Sequence, residues 1–538
     1  MNEGRELWKE YCGFLDKSFS EQLEYNEKKK EEHFEKWKHT KTAKQLRPEG
    51  VEKFEDIPIT TYEDYPILHE FGKKIEELER TVPRKKGERL WEYYNGGIGR
   101  QAARMLDGWM TDRYGFCMKT SGTGGETKWF AHSEKFLKSM IKYTIAYLII
   151  SCSDDWGDTQ IRKGDKILCM VAPPPYGSSF VTKAWDDFFS CVPPPQIIEN
   201  ITDMRKKMNM VARIIKSGEK IAYVVGLPST LYLISQYLST PAEVFKDRYE
   251  SMHLGIGKSI LYLKYLQSKM SSPEYRRISE IMSIKGLNVG GTHYGLYLDS
   301  LKQQYGVDPY NIYANSEACL SLIGSLKLKE SFIPLLEIHY YEFMGRDGKI
   351  RQIHELEKGN VYTLITTPFD NMVVRINTED TFKVVDFEQN GLPILAFESR
   401  VADLLDIYGY LYLSEALATA VLTKAGLKHT DTWAIAKVIE PTEHLLLLME
   451  KTWDYSDEEV SRAVFDSLKK ISEDFRNLIR DYKIERPTKF IKVEYLPKGA
   501  FMRYIMKKAK EGVPFGQIKP PKLINPEKSE LIDFLRKA

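Results

Sequence analysis

Long apolar runs are scarce in this sequence of 538 residues. The longest, such as residues 145–150 (IAYLII) and 445–449 (LLLLM), fall well short of the roughly 20 residues that a membrane-spanning helix needs. The N-terminus, MNEGRELWKEY, also lacks the apolar core of a signal peptide. These absences predict a soluble, cytoplasmic protein that does not associate with a membrane.

The sequence also has no C-x-x-C pair and only a small net charge. The six cysteines are scattered without a C-x-x-C pair, which predicts reduced, mostly buried thiols and no zinc or disulfide framework. The 78 basic and 76 acidic residues leave a net charge of +2, so no overall field favours nucleic acid. An aromatic content of 12% argues against disorder. We therefore predict a folded protein of enzyme size with more than one domain.

The pattern of helix and strand signals changes along the chain. The spacing of apolar residues predicts amphipathic helices within residues 5–40 and a long helix over 132–150. Strand and helix signals then alternate from 166 to 324, which is typical of mainly parallel sheets covered by helices. From about 330 the segments are β-rich and alternating, as in an antiparallel sheet or barrel. Beyond 399 strand and helix signals alternate again and predict a small α+β domain.

A glycine-rich segment, residues 119–130 (KTSGTGGETKWF), stands out for its chemistry. Glycines at 122, 124 and 125 can expose backbone N–H groups to an anion, and nearby hydroxyls and Lys128 add donors and positive charge. The strict P-loop pattern is absent because Glu126 and Thr127 stand between the last glycine and the lysine. Alone, such a cluster is equally typical of an ordinary surface turn, so partners elsewhere in the chain must decide.

Those partners follow in a fixed order: GGTHY at 290–294, YANSE at 313–317, VVRINTED at 373–380, and a tail with LPKGAF from 496 and GQIKPPKL up to 523. In this order and spacing the pieces resemble the adenylate-forming superfamily of acyl- and aryl-activating enzymes. Within it, the chain is most similar to the Gretchen Hagen, or auxin-conjugating, acyl-acid amido synthetases. FEDIPITTYEDYP at 54–66, YANSEACL with the later YYEFM, and GQIKPPK carry this closer likeness.

The resemblance implies an α/β and α+β fold of two parts. Residues 1–398 would form a large adenylate-forming domain with mostly parallel sheets, helices and a β-rich, barrel-like part. Residues 399–538 would form a small, mobile α+β lid.

The resemblance also implies roles for particular residues, with ATP and Mg²⁺ as cofactors. The phosphate-binding set would be Ser121, Gly122, Thr123, Gly124, Gly125 and Lys128. The adenine-binding set would be Gly290, Gly291, Thr292, Tyr313, Ala314, Asn315 and Ser316. Glu317 would bind Mg²⁺, a role that suits a hard oxygen ligand. Asp380 would accept hydrogen bonds from the ribose hydroxyls, and Arg400 would add a ribose or phosphate contact.

Two lysines near the C-terminus are candidates for the catalytic lysine of the mobile domain, Lys519 in QIKPPK and Lys498 in LPKG. For the carboxylic substrate the candidates are His293, Tyr294, Leu231 and Tyr176, although each is equally typical of core or pocket wall. Histidines do not cluster in the sequence. We therefore interpret His132 as structural.

Two of the departures from the family pattern favour an alternative function. Glu379 stands before the motif Asp where relatives carry Gly, and Ala402 stands where many members have a hinge Asp or Lys. These departures leave a non-catalytic nucleotide-binding relative as one alternative. Our prediction is an adenylate-forming ligase that activates a carboxylic acid and passes the acyl group to an amino-acid amine. The other alternative is a ligase that uses coenzyme A as the acceptor.

Overall fold

A computed structural model describes residues 3–120, 127–185, 188–201, 204–239, 260, 262–263, 265–266, 277–290, 297–400, 404–408, 411–427, 432–439, 443–450, 455–511, 518 and 520–537. Contacts divide these residues into two units. The first takes in the described residues up to 239, those from 277 to 378, and 382–397. The second takes in 379–381, the described part of 260–266 and the residues from Glu398 onward. The domains predicted for 1–398 and 399–538, with the second as a mobile lid, stay a prediction.

The α-helices of the described residues are α1 (Glu3–Leu7), α2 (Phe19–Trp37), α3 (Lys41–Leu46), α4 (Pro66–Thr81), α5 (Gly99–Ala102), α6 (Glu134–Ser151), α7 (Phe180–Ala184), α8 (Pro195–Ile198), α9 (Met204–Lys216), α10 (Pro228–Ser239), α11 (Ile278–Ile281), α12 (Leu298–Tyr305), α13 (Glu415–Lys424), α14 (Asp457–Ile471), α15 (Glu473–Asp481), α16 (Pro487–Phe490), α17 (Ala500–Lys510) and α18 (Glu530–Lys537). No helix of this described part is long and apolar enough to cross a membrane.

The strands are β1 (Tyr114–Lys119), β2 (Trp129–Ser133), β3 (Lys166–Met170), β4 (Ser190–Val192), β5 (Tyr223–Gly226), β6 (Gly286–Gly290), β7 (Pro309–Asn315), β8 (Cys319–Gly324), β9 (Phe332–Pro334), β10 (His339–Gly345), β11 (Ile350–Gln352), β12 (Val361–Pro368), β13 (Ile376–Phe387), β14 (Pro393–Arg400), β15 (Leu405–Ile407), β16 (Leu411–Leu413), β17 (Trp433–Val438), β18 (His444–Glu450), β19 (Ile491–Leu496) and β20 (Leu523–Ile524).

One twelve-stranded mixed sheet dominates the fold, in the order β11-β10-β12-β13-β14-β9-β8-β7-β6-β5-β3-β4. Pairing is parallel from β4 through β3, β5 and β6 to β7, and antiparallel from β7 through β8 and β9 to β14. The predicted α/β fold is thereby confirmed. The β-rich part predicted as a sheet or barrel continues this same sheet, because β8 turns back on β7 and extends it.

Helix α6 forms the centre of the core beneath this sheet. The four side chains that were predicted to form its apolar stripe, Phe136, Met140, Tyr143 and Tyr147, are all buried. The helix begins at Glu134 rather than His132, because the Ser133 hydroxyl accepts a hydrogen bond from the Phe136 N–H and so caps the first turn. The two preceding residues belong to strand β2.

The cysteines bear out the prediction of free, mostly buried thiols. Five are buried and Cys191 is half-buried, and none is in a disulfide. Burial raises the pKa of both Cys117 and Cys152 to about 12, so these thiols stay protonated and unreactive at neutral pH.

The second unit is built on a four-stranded sheet in the order β19-β18-β17-β20. Along β18, Leu445, Leu447 and Met449 belong to one apolar cluster, and Leu446 and Leu448 belong to another. Because side chains of a strand alternate between faces, both faces of this sheet are buried. The LLLLM run is therefore a strand covered on two sides.

A buried ion pair holds the segment 54–58 against the large sheet. The Arg375 guanidinium donates to both carboxylate oxygens of Glu342 at 2.8 Å and to the backbone carbonyls of Glu55, at 2.8 Å, and Ile57. Glu342 is 2% exposed, and its burial raises its pKa.

Replacing Glu342 with alanine should destabilise the first unit by about 3–5 kcal/mol, because it leaves the buried Arg375 cation without its counter-charge. Urea unfolding followed by tryptophan fluorescence would measure the loss. Glu49→Ala is the matched control, since Glu49 pairs with Arg47 at the surface and its removal should not measurably move the transition. Equal effects of the two changes would contradict the prediction.

Candidate functional site

The carboxyl ends of four parallel strands meet at one edge of the large sheet. Strands β3, β5, β6 and β7 are neighbours and run in the same direction, ending at Met170, Gly226, Gly290 and Asn315. In open α/β sheets, ligands bind outside these carboxyl ends. The segments predicted from sequence around Tyr176, Gly290 and Tyr313–Glu317 all lie at or just beyond this edge. Scattered motifs are thus brought together by the strand order.

The glycine-rich segment connects the two strands of a hairpin. Strands β1 and β2 pair antiparallel up to Lys119 and Trp129, and the Thr120 N–H donates to the Lys128 carbonyl at 2.9 Å. The Lys128 N–H in turn donates to the Thr120 hydroxyl at 2.9 Å. The predicted phosphate-binding residues Ser121, Gly122, Thr123, Gly124 and Gly125 lie outside the described residues. Their roles stay predictions, but the base of their loop is firmly closed.

The base of this hairpin is joined to the segment that follows β3. Lys119 forms a parallel bridge with Tyr176, and its N–H donates to the Pro175 carbonyl at 3.1 Å. The Lys119 ammonium lies 5.2 Å from the centre of the Tyr176 ring and 5.4 Å from that of the Trp129 ring. A second lysine therefore lies beside the loop. The sequence analysis missed it because only the lysine at the other end matches the family pattern.

Lys128 is held by weak contacts. Its ammonium lies 3.6 Å from a carboxylate oxygen of Glu63 and 5.1 Å from the centre of the Tyr62 ring. The side chains of Lys128 and Glu63 are 42% and 68% exposed. Exposed ion pairs contribute little free energy, so an anion could displace Glu63 from the Lys128 ammonium at a small cost in free energy.

The family-like segment at 54–66 packs on the backbone just before the Asp motif. The buried Thr60 N–H donates to the Arg375 carbonyl at 2.9 Å, and the Thr60 hydroxyl donates to the Val374 carbonyl at 2.6 Å. The Tyr62 hydroxyl accepts from the Trp129 N–H at 3.2 Å. The segment thus connects the glycine-loop hairpin to residues 374–377.

Strands β7 and β8 form a hairpin whose connection carries Glu317. Asn315 pairs with Cys319, and the Asn315 side-chain oxygen accepts from the Ala318 N–H at 2.8 Å. The Asn315 amide nitrogen donates to the Tyr313 hydroxyl at 3.1 Å. These bonds fix the turn, and Glu317 stands on it half-buried. Ala314 is exposed and Ser316 half-buried, so both are accessible at the edge.

A buried histidine connects this turn to the glycine-loop hairpin. The His132 Nε2 atom lies 3.0 Å from the Ser316 carbonyl oxygen, and its Nδ1 atom lies 2.9 Å from the Asn371 amide nitrogen. Burial lowers the pKa of His132 to about 4, so the imidazole is neutral at neutral pH. The sequence offered no signal for this contact, because its partners lie 184 and 239 positions away.

The structure describes only some of the residues predicted to bind adenine. Gly290 ends β6 beside Ile312, and a methyl group added at Gly290 would meet that side chain at an ordinary distance of 3.6 Å. Packing therefore does not require glycine there. Gly291, Thr292, His293 and Tyr294 lie outside the described residues. Their predicted roles stay predictions.

The other two substrate-pocket candidates differ in exposure. Leu231 is fully buried in a core cluster with Met170 and Val289, and its carbonyl accepts from the Tyr305 hydroxyl at 3.0 Å. Tyr176 is half-buried, and burial raises its pKa to about 12. Tyr176 thus presents surface to a ligand, whereas Leu231 packs as core; the pocket role of each stays a prediction.

The predicted ribose carboxylate lies on β13. Asp380 is 4% exposed, and the preceding Glu379 is exposed with a backbone φ of 59°. This is the left-handed conformation that favours glycine, the residue that relatives carry there. The backbone at Glu379 therefore has a conformation that glycine would adopt without strain. Arg400 ends β14, but its side chain lies outside the described residues.

The two lysine candidates belong to the second unit. Lys498 is exposed on the turn between β19 and α17. Glu450, at the end of β18, fixes this turn by accepting from the Gly499 and Phe501 N–H groups at 2.7 and 3.1 Å. Lys519 lies outside the described residues. Both assignments stay predictions.

The carboxylate of Glu317 suits the way in which proteins bind Mg²⁺. Across the described ranges, no group of three or more His, Cys, Asp or Glu side chains forms a metal cage. Mg²⁺ commonly takes one or two protein carboxylates and completes its shell with water and substrate phosphates. A half-buried carboxylate at the edge of the sheet, as Glu317 is, fits that arrangement.

Replacing Glu379 with glycine should relieve left-handed backbone strain of about 1–2 kcal/mol, partly offset by the greater freedom of unfolded glycine. We expect a net gain of up to about 1 kcal/mol relative to Glu379→Ala, which loses the same side chain but keeps the strain. Thermal unfolding of the two variants would measure the difference. A glycine variant no more stable than the alanine variant would contradict it.

Comparisons with known proteins bear on the fold. No family model and no curated protein sequence matches the chain. Among solved structures, GH3.15 acyl acid amido synthetase matches with a TM-score of 0.65 and 15% identity, covering 96% of this chain and 93% of that chain. The same enzyme in complex with 2,4-DB matches equally well at 14% identity.

A 2-hydroxyisobutyryl-CoA ligase, solved in the postadenylation state with R3-HIB-AMP, matches with a TM-score of 0.54 and 14% identity over 96% of this chain and 92% of that chain. At such identities the likeness concerns the fold. The resemblance predicted from the motifs is confirmed at that level, and this chain has the fold of adenylate-forming ligases.

Proposed function

We propose that this protein is an adenylate-forming ligase of the acyl-acid amido synthetase kind. It would join a carboxylic acid to AMP with release of pyrophosphate, and then transfer the acyl group to the amine of an amino acid. The carboxylate attacks the α-phosphorus of ATP, a new O–P bond forms, and the bond to pyrophosphate breaks. In the second step the amine displaces AMP from the acyl carbon and loses a proton.

The observation that carries this proposal is the two-sided attachment of the glycine-loop hairpin to the sheet edge. Lys119 joins its base to the segment after β3, and His132 joins it to the turn after β7. The base of the predicted phosphate-binding segment, the turn that carries the half-buried Glu317 and the carboxyl ends of four parallel strands therefore lie close together. Catalysis of phosphoryl transfer depends on this kind of positioning.

Each group of predicted site residues would have its own role. Lys128, together with the loop at 121–125, would bind the phosphates and offset their repulsion of the incoming carboxylate. Glu317 would bind Mg²⁺, which when present neutralises charge on the phosphates. Tyr313–Ser316 with Gly290–Thr292 would bind the adenine. Asp380 and Arg400 would hold the ribose.

The acid would lie beside Tyr176, with His293, Tyr294 and Leu231 as further predicted wall residues. An amine acceptor is favoured over coenzyme A by the motif resemblance and by the higher TM-score to the GH3.15 acyl acid amido synthetase. The exposed, loosely paired Lys128 would be available to nucleotide phosphates both in a ligase and in a non-catalytic nucleotide-binding relative, so acid-dependent exchange of pyrophosphate must separate the two.

The proposal is tested by pyrophosphate exchange into ATP with purified protein, Mg²⁺ and a panel of aryl, indole and short-chain acids. Each active acid is then offered amino acids or coenzyme A. We expect exchange that depends on the acid and product formation with an amino acid. Product formation with coenzyme A alone would mean that the acceptor is a thiol rather than an amine. No pyrophosphate exchange with any acid would refute acid activation.

For the lysine candidates we expect Lys519→Ala to slow adenylation about 10²–10³-fold with little change in ATP affinity, because the lysine acts on charge that develops in the transition state. Single-turnover formation of acyl-AMP and equilibrium binding of ATP would separate the two quantities. Lys498→Ala is the parallel variant. Lys510→Ala, at the basic end of α17, is the control and should leave both unchanged.

A larger rate loss in the Lys498 variant would transfer the role to that residue. Equal losses of rate and ATP affinity in the Lys519 variant would instead indicate a ground-state contact and contradict the assignment.

A further inference from the structure

Two buried histidines hold the hairpin that carries Glu317. His132 Nε2 lies 3.0 Å from the carbonyl oxygen of Ser316, just before Glu317, and His339 Nε2 lies 2.9 Å from the carbonyl oxygen of Leu320, just after the turn. Both imidazoles are at most 1% exposed. The turn is therefore bonded to an imidazole on each of its two arms.

The proton positions follow from the partners. The Ser133 N–H donates to the Asn371 side-chain oxygen at 3.2 Å, so the amide nitrogen of Asn371 faces His132 and donates to its Nδ1. His132 must then carry its proton on Nε2 and donate to Ser316. A carbonyl only accepts, so His339 also carries its proton on Nε2. Both histidines are neutral donors to the hairpin backbone.

One aromatic side chain fixes the two rings together. The Phe136 ring centre lies 5.7 Å from that of His132 and 5.6 Å from that of His339. The Phe116 ring also stacks on His132, with 4.9 Å between the ring centres and an interplanar angle of 28°. Since α6 supplies Phe136 and the large sheet supplies His339, the orientation of the turn is determined by the most buried part of the first unit.

We propose that His132 and His339 are positioning residues for Glu317, fixing the turn so that its carboxylate meets the metal of bound Mg·ATP. This inference rests on the proposed function. A second observation supports a functional reading: Cys319, which ends the turn, has a backbone φ of 57°. Such a conformation is costly for a residue with a side chain and persists only where surrounding contacts impose it.

The alternative is that these histidines only fill the core. In that case their removal lowers stability and leaves the metal dependence of nucleotide binding unchanged. Residues that orient metal ligands behave differently, because their loss typically weakens metal affinity or activity 10–100-fold. The two readings therefore differ in a binding measurement that requires no turnover.

The test compares His132→Ala, His132→Gln and His33→Ala with the unmodified protein. Glutamine keeps a donor for the Ser316 carbonyl and is the rescue variant. His33 is the control, because it is equally buried but accepts from the Asp370 N–H at 3.0 Å and has no bond to the hairpin. Calorimetry measures ATP affinity over a Mg²⁺ titration, and amide hydrogen exchange follows the peptide at 313–322.

For His132→Ala we expect the half-saturating Mg²⁺ concentration to rise about 10-fold or more, as orienting residues do. ATP affinity without metal should stay within about twofold, and exchange at 316–320 should accelerate. Glutamine should restore most of the Mg²⁺ dependence, and His33→Ala should lower only thermal stability. Unchanged Mg²⁺ dependence in His132→Ala, or an equal shift in His33→Ala, would overturn the proposal.

Failure of the proposed function gives a different pattern. If the unmodified protein binds Mg·ATP tightly but exchanges no pyrophosphate with any acid, acid activation is refuted and the histidine comparison still decides the positioning role. If its ATP affinity does not respond to Mg²⁺ at all, both the metal role of Glu317 and the positioning role of His132 and His339 are refuted.

Discussion

Parallel pairing of β3, β5, β6 and β7 is the constraint on which the candidate site depends. Parallel strands need crossover connections, so consecutive strands lie far apart in sequence while their carboxyl ends meet at one edge. The sheet thereby brings segments near residues 176, 290 and 315 together without any direct local signal. Reversal of direction at β8 then places a tight turn, rather than a helix, after β7. This turn allows the half-buried carboxylate of Glu317 to stand on a rigid backbone.

Positive backbone φ values occur close in sequence to two of the predicted ligands. Cys319, Arg375 and Glu379 all have positive φ values, of 57°, 44° and 59°. They flank the predicted metal ligand and the predicted ribose ligand. Such conformations cost about 1–3 kcal/mol each and need surroundings that impose them. For Arg375 the surroundings are evident, since its guanidinium is bound by Glu342 and two backbone carbonyls. The early segment at 54–65 therefore contacts the chain at one of these strained positions, Arg375.

Sequence patterns predicted the broad fold because they are local. The alternation of strands and helices, the apolar stripe of α6 and the change to β-rich texture after 330 each follow from neighbouring residues, and each agrees with the structure. Contacts between distant residues were missed. His132 was interpreted as structural because histidines do not cluster in the sequence, and no pattern connects it with Ser316 or Asn371. Lys119 received no role because the family motif begins after it. The start of α6 was placed early because His132 and Ser133 fit both a strand end and a helix start. The conformation of Glu379 was also unpredictable, since glutamate is a poor residue for a left-handed position.

The glycine-loop hairpin is a two-stranded sheet of its own, separate from the twelve-stranded sheet in its hydrogen bonding. Its loop begins and ends at Thr120 and Lys128, which bond to each other across the base. Insertions, deletions or whole-loop exchanges between these two residues would therefore leave the register of the main sheet untouched. The length and sequence between Thr120 and Lys128 are thus independent of the hydrogen bonding of the main sheet, so this part of the chain can vary without a change in the core.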